Sequence, residues 1–352
     1  MQRYHSLDYL RGLAALGIML FHYLSWTFGE FNAQSFMGRV GIYGVSIFYI
    51  LSGLTLYLVY DKVLGNNISE TKVFFKRRLL RIFPLFWLST IASIFIMHGV
   101  ENCSLQRVFL NLSGLFGFVA WDKGLAVGSW SIGNELVFYC IFPIIVLLRY
   151  RSKVIFYLTV GLFLAVYLYF AYFLIDIHST NAEGEQNHFY MNPLNQAFLF
   201  VGGYMIGVWS GKLKLTTWHS LIMIGAGLML FTFWPESGER IRLIGGNSRV
   251  ILTISSFLIC IGFYKFSSTL PRLVSWPLGT LGEISYSVYM LHAVVHRVIL
   301  FPIEYVRSNF FPVSESIRFI LAIMLTLIIS YFVYHTYEKF FIGLGKKKKI
   351  AA

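Results

Sequence analysis

The stretch LDYLRGLAALGIMLFHY sets Arg11 and His22 eleven residues apart. Eleven helical steps of 100° bring the second side chain to within about 20° of the first, so one helix face carries both, about 16 Å apart along the axis. An imidazole titrates near neutrality, and one held deep in an apolar helix can take a proton from a hydroxyl. The same two residues also suit quieter work, Arg11 as a snorkelling anchor and His22 as a hydrogen-bonding group between helices. A second cluster, KRRLLRIFP, puts Arg78 and Arg81 on one face beside Lys76 and Arg77. Paired guanidinium forks hold phosphate bidentately, which suits a phosphorylated cytosolic donor; a basic anchor at a membrane surface is the other reading. Arg81 weighs against mere anchoring because it lies one turn into an apolar stretch.

Two more clusters carry polar side chains into apolar sequence. GSWSIGNELVFY supplies Trp130, Ser131, Asn134 and Glu135, although an acid so close to a helix start also stabilises the helix dipole. GEISYSVYMLHAVVH spaces Ser285, Tyr289, His292 and His296 at i, i+4, i+7 and i+11, a single stripe on one helix. His292 and His296 have the spacing of a metal pair, yet no carboxylate or third ligand stands at supporting distance. The expectation is a hydrogen-bonding stripe and no metal. Ionisable groups inside a bilayer cost about 2.5–3.5 kcal/mol each on insertion scales, so those that persist tend to face a cavity and act there.

The elements that must position these groups are membrane helices. Of the 352 residues 57% are hydrophobic and 13% charged, and the mean hydropathy is +0.66; a soluble domain carries about 25% charged residues. Apolar runs of about 18–23 residues recur, each long enough for a hydrocarbon core about 30 Å thick. The expectation is an all-α polytopic integral membrane protein with about ten spans, near 7–28, 39–60, 78–98, 130–148, 154–175, 194–211, 216–234, 248–266, 281–300 and 316–338. The apolar segment 108–120 is too short to cross and reads as a re-entrant or interfacial helix. Residues 1–345 form one domain and 346–352 a basic tail. The three cysteines, Cys103, Cys140 and Cys260, lack the paired spacings of a zinc site or a disulfide framework.

A net charge of +13 raises nucleic acid as a partner, but basic residues collect on the cytoplasmic side of membrane proteins for topological reasons. With the N-terminus inside, cytoplasmic segments hold 20 of the 29 Lys and Arg and five of the 16 acidic residues. Both termini are therefore expected in the cytoplasm of a cell whose inner membrane the chain spans, with no nucleic acid partner. The Lys346–Lys349 run reads as an anchor on anionic lipid headgroups.

Taken together, these segments resemble the membrane acyltransferase family 3. Arg11 and His22 match its arginine, ten residues, histidine pattern, and Arg78 and Arg81 its Arg-x-x-Arg motif. Trp130 and Glu135 match the Trp-Ser-x-x-x-Glu stretch, and Ser285 through His292 the late Ser-Tyr-Ser-x-Tyr-x-x-His stretch; GIYGVSIFYILSGL, with Gly44, Ser52 and Gly53, looks like the second helix. Four weak motifs in the right order, on the right sides of the membrane, make a specific signal covering essentially the whole chain.

The resemblance implies an O-acyltransferase that moves an acyl group, most often acetyl, from cytosolic acyl-CoA to a surface or lipid-linked glycan. It implies acetyl-CoA as donor substrate, with its phosphates on Arg11, Arg78 and Arg81. His22 would be the general base and Glu135 would orient or charge its imidazole, with direct transfer and an acyl-histidine both open. Ser285, Tyr289 and His292 could donate to the oxyanion or the acceptor, with Trp130, Ser131 and Asn134 as further pocket candidates. Some family members carry an appended extracytoplasmic domain; here transfer is expected to be completed by the membrane domain alone or with a partner. The sequence leaves the acceptor open among lipopolysaccharide, exopolysaccharide, peptidoglycan and small lipid-linked sugars, and the acyl group open between acetyl and succinyl. A polytopic transporter or flippase of a glycan or small molecule is the main alternative, although the inverted repeats of many transporters do not stand out. A membrane scaffold or sensor is a third reading, for which buried ionisable groups are an expensive feature.

Overall fold

In a computed structural model, residues 4–178, 182–210, 215–310 and 312–346 are described, and among them no residue is in a β-strand. Lys346 is the one residue of the expected basic tail within that range; the rest of the 346–352 tail lies outside the described residues. The helices are α1 (His5–Phe28), α2 (Phe36–Asn66), α3 (Thr71–Ser93), α4 (Leu105–Ser113), α5 (Phe116–Val119), α6 (Ser129–Arg151) and α7 (Lys153–Tyr169). They continue with α8 (Ala182–Met191), α9 (Pro193–Ser210), α10 (Thr217–Phe233), α11 (Gly246–Lys265), α12 (Arg272–Asn309), α13 (Glu315–Val333) and α14 (Lys339–Leu344).

The chain is an all-α polytopic membrane protein. Among the described residues, seven helices are long and apolar enough to cross a membrane: α2, α3, α6, α7, α11, α12 and α13 with their extensions. The apolar α10 is shorter, at 17 residues. The other two expected spans, α1 and α9, fall outside that group; Asp8, Arg11 and His22 dilute the first, and Asn195 and Gln196 the second. The segment expected to be one short helix near 108–120 is two, parted at Gly114, whose φ of 77° is left-handed backbone that favours glycine. The second of them, α5, packs on α6 where Gly117 meets Gly133, and its fully buried Phe116 stacks on Phe86 of α3 at 5.8 Å.

Helix directions decide which polar clusters meet. On α1, Gly12 lies so close to α12 that a Cβ there would stand 2.7 Å from the backbone nitrogen of Gly282. That small-residue contact is how membrane helices approach without a hydrophobic drive between them. Contacts between α1 and α12 run from Gly12 with Gly282 to His22 with His292, so the two helices are parallel. The Tyr286 hydroxyl donates to the carbonyl of Ile82 (2.8 Å) and the Ser89 hydroxyl to that of Met290 (2.7 Å), which lays α3 parallel to α12. Across from them α6 follows α2, from Asn134 with Tyr49 at one end to Arg149 with Asp61 at the other. The four helices that carry the polar clusters, together with α2, thereby surround one space.

Candidate active site

Arg11 from α1, Arg78 and Arg81 from α3, Ser131 and Glu135 from α6, and Ser285 and Tyr289 from α12 line one cavity of about 300 Å³. Seven side chains separated by up to 278 positions are brought together because α1, α3, α6 and α12 each turn their polar stripe inward. Arg11 pairs with Asp8 one turn earlier, at 3.3 Å. The guanidinium of Arg78 stands 5.2 Å over the Tyr60 ring and 5.7 Å from that of Tyr139, a cation–π arrangement. Its buried Nε has no hydrogen-bond partner among the described residues. Glu135 faces these arginines, with one carboxylate oxygen accepting from the Ser52 hydroxyl at 3.0 Å and from the Tyr139 hydroxyl at 2.5 Å.

Tyr289 separates this cavity from a second cluster built of rings. Its own ring centroid is 6.2 Å from that of His292. The His22 ring stacks on His292 at 5.2 Å and on Trp26 at 5.0 Å, and His296 lies 4.9 Å from Trp26. His22 is half-buried, and Trp26, one turn further along α1, is 40% exposed. The imidazoles thus lie between the basic cavity and an exposed aromatic edge. Among the described residues, no group of three or more His, Cys, Asp or Glu side chains could hold a metal.

The arrangement sorts the residues singled out by sequence. His22 lies beyond Tyr289 and outside the lining of the arginine cavity, and the Glu135 hydrogen bonds go to Ser52 and Tyr139 and not to His22. Trp130 packs on Tyr190 and Tyr49. Asn134, fully buried, donates to the Tyr49 hydroxyl (3.2 Å) and the Met191 carbonyl (3.0 Å), tying α6 to its neighbours. The Ser285 hydroxyl donates to the Gly282 carbonyl at 2.9 Å. The Tyr289 hydroxyl lies 3.0 Å from the Gly128 carbonyl and 2.8 Å from Ser131 Oγ, so both α12 hydroxyls are engaged within the protein.

Sequence reasoning passed over Tyr139 and Glu338. Tyr139 was findable, since it follows Glu135 by four residues and so shares its helix face. Glu338 counted only as a cytoplasmic charge. It is buried and accepts from the Ser287 hydroxyl of α12 at 2.8 Å.

The chain is 25% identical over 364 residues to YrhL of Bacillus subtilis (strain 168), provisionally named a peptidoglycan O-acetyltransferase; the match covers 95% of this chain and 54% of that protein. It is 25% identical over 355 residues to the O-acetyltransferase OatA of Staphylococcus aureus (strain NCTC 8325 / PS 47), covering 93% and 55% respectively. A provisionally named acetyltransferase, ORF330 of Acidianus two-tailed virus, is 24% identical over 296 residues and covered to 82%, as is this chain. The chain thus spans about half the length of the two bacterial relatives. The profile of the acyltransferase domain family matches residues 4–335, nearly all of the helical bundle, and the chain belongs to that family.

Proposed function

We propose that this chain transfers an acyl group, acetyl foremost, from acyl-CoA to a hydroxyl of a cell-envelope glycan. The observation that carries the reading is three guanidinium groups, from α1 and α3, converging on one cavity whose far wall, Tyr289, abuts the His292–His22 ring stack. Ligand sites run from about 300 to 1,000 Å³. At about 300 Å³ this cavity suits the narrow acylated pantetheine arm of acyl-CoA, with the nucleotide phosphates at the arginines. The unpartnered Nε of Arg78 fits that use, because a buried donor left unpaired favours an incoming anion.

Arg11, Arg78 and Arg81 bind the phosphates, and Glu135, held by Ser52 and Tyr139, balances their charge and fixes their orientation. His22 removes the hydroxyl proton as the oxygen bonds to the thioester carbonyl carbon, and the thiolate leaves as the C–S bond breaks. Membership of the cytoplasmic membrane with both termini inside belongs to the same proposal, since it places the arginine end of the bundle toward the donor. The name of the Bacillus relative makes peptidoglycan the first acceptor to try.

The test is purified protein in proteoliposomes, given labelled acetyl-CoA and solubilised peptidoglycan fragments. Free CoA and acetylated fragment should appear together, and His22→Ala should cost about 10²–10⁴-fold in rate without preventing membrane insertion. Near-normal acetylation by that variant would remove His22 from the role. Movement of glycan across the bilayer without acetylation would favour a flippase.

A further inference from the structure

His292 is 1% exposed, on the face of α12 that meets α1. Its Nδ1 lies 2.7 Å from the carbonyl oxygen of Tyr289. A carbonyl oxygen only accepts, so Nδ1 carries a hydrogen; a neutral imidazole has one N–H, which leaves Nε2 as a bare lone pair. That Nε2 is buried and has no hydrogen-bond partner among the described residues. The ring cannot easily turn to find one. The Tyr23 hydroxyl donates to the His292 backbone carbonyl at 2.7 Å and lies 2.6 Å from the Thr326 hydroxyl. The ring itself is stacked on His22, with an interplanar angle of 22°, and runs within 8° of the Trp26 plane at 6.1 Å.

An acceptor held unpaired in a protein interior is a standing cost that a bound donor removes. The two substrates differ in what they can offer. The reacting end of a thioester has only acceptor atoms, whereas a sugar presents O–H and N–H donors around its ring. Resting on the acyl-transfer reading above, we infer that His292 is a binding residue for the acceptor glycan. Its Nε2 receives a hydrogen bond from an O–H or N–H next to the hydroxyl under attack, and holds that hydroxyl beside His22. This reverses the direction expected from sequence, in which His292 donates. The attacked hydroxyl has a single proton, which His22 takes, so the two imidazoles serve adjacent groups of one sugar.

Two variants separate the lone pair from the packing. His292→Phe keeps a ring against His22 and Trp26 but has no acceptor; His292→Gln puts an amide oxygen near the place of Nε2. Steady-state rates are measured in proteoliposomes with acetyl-CoA and solubilised peptidoglycan fragments varied in turn. His292→Phe should raise the KM for the fragment about tenfold or more and leave that for acetyl-CoA within about twofold, with His292→Gln recovering most of the loss. An unchanged fragment KM in His292→Phe, equal changes for both substrates, or Gln behaving like Phe would overturn the assignment while the acyl-transfer reading survives. Wild-type protein that acetylates no fragment would overturn that reading and this inference with it. Nitrogen NMR of histidine-labelled wild-type protein decides the matter independently of how the variants fold: Nδ1 should be protonated and Nε2 bare, with the Nε2 signal moving on addition of the fragment. A protonated Nε2, or a signal indifferent to fragment in protein that turns it over, would overturn the inference.

Discussion

Arg39 and Arg149, like Arg78 and Arg81, are arginines carried on the helices of the bundle, but the protein treats the two pairs in opposite ways. Arg39, 1% exposed, donates to three backbone carbonyls: Ala33 at 3.0 Å, Phe231 at 2.7 Å and Trp234 at 2.6 Å. Arg149 forms a 2.5 Å ion pair with the buried Asp61, which also accepts from the hydroxyls of Tyr204 and Tyr150. Arg39 bonds the protein through all three guanidinium nitrogens and Arg149 through its ion pair, and the two fasten α2 to α10 and α6. Arg78 and Arg81 are in no salt bridge among the described residues, Arg78 keeps an unpaired Nε, and both face a cavity. Burial of a charge is therefore a poor guide to function in this bundle. Among these four arginines, what sets Arg78 and Arg81 apart is that they face a cavity and are in no ion pair among the described residues.

Four variants can break or sharpen that contrast. Replacing Arg78 and Arg81 together by Ala removes two charge-assisted contacts worth about 1.5–3 kcal/mol each, so the acetyl-CoA KM should rise about 10²-fold or more with little change in melting temperature. A larger effect on the acceptor KM would reassign the pair. Arg149→Ala leaves Asp61 buried and unpaired, a loss of about 3–5 kcal/mol that thermal unfolding in detergent should register. Protein that survives should show an ordinary acetyl-CoA KM, and a selective KM defect would place Arg149 with the cavity arginines instead. Arg39→Met strips donors from three carbonyls and should cost about 1–3 kcal/mol in the same assay, again without a KM signature. Smallest is Tyr139→Phe, which removes one hydroxyl from Glu135. It should raise the acetyl-CoA KM by up to about tenfold at unchanged stability, and an unaltered KM would separate Glu135 from the donor site.

Much of the bundle was legible because a membrane span declares itself by composition: about 20 apolar residues are needed, and few other structures require them. The break at Gly114 was not, since one glycine in an apolar segment is compatible with a continuous helix until α5 is seen packed on α6. At the site, Arg11, Arg78, Arg81, Ser131, Glu135, Ser285 and Tyr289 converge, whereas Trp130 and Asn134 are spent on packing. Asn134 and Glu135 are neighbours in sequence but 100° apart around α6, and only one of them can face the arginines. Glu338 was hidden for a different reason: the charge count that settles topology treats every residue near a helix end alike, and this one is buried against Ser287.

What the chain's sequence determined by itself is the kind and order of its elements and the face of each helix on which polar residues fall, because those follow from composition and from a 3.6-residue period that needs no partner. Only the tertiary structure decided which faces meet. The parallel approach of α1 and α12 at Gly12 and Gly282 brings His22 onto His292. Rotation and register between helices are set by how side chains of distant segments pack, and no spacing within a single helix encodes them.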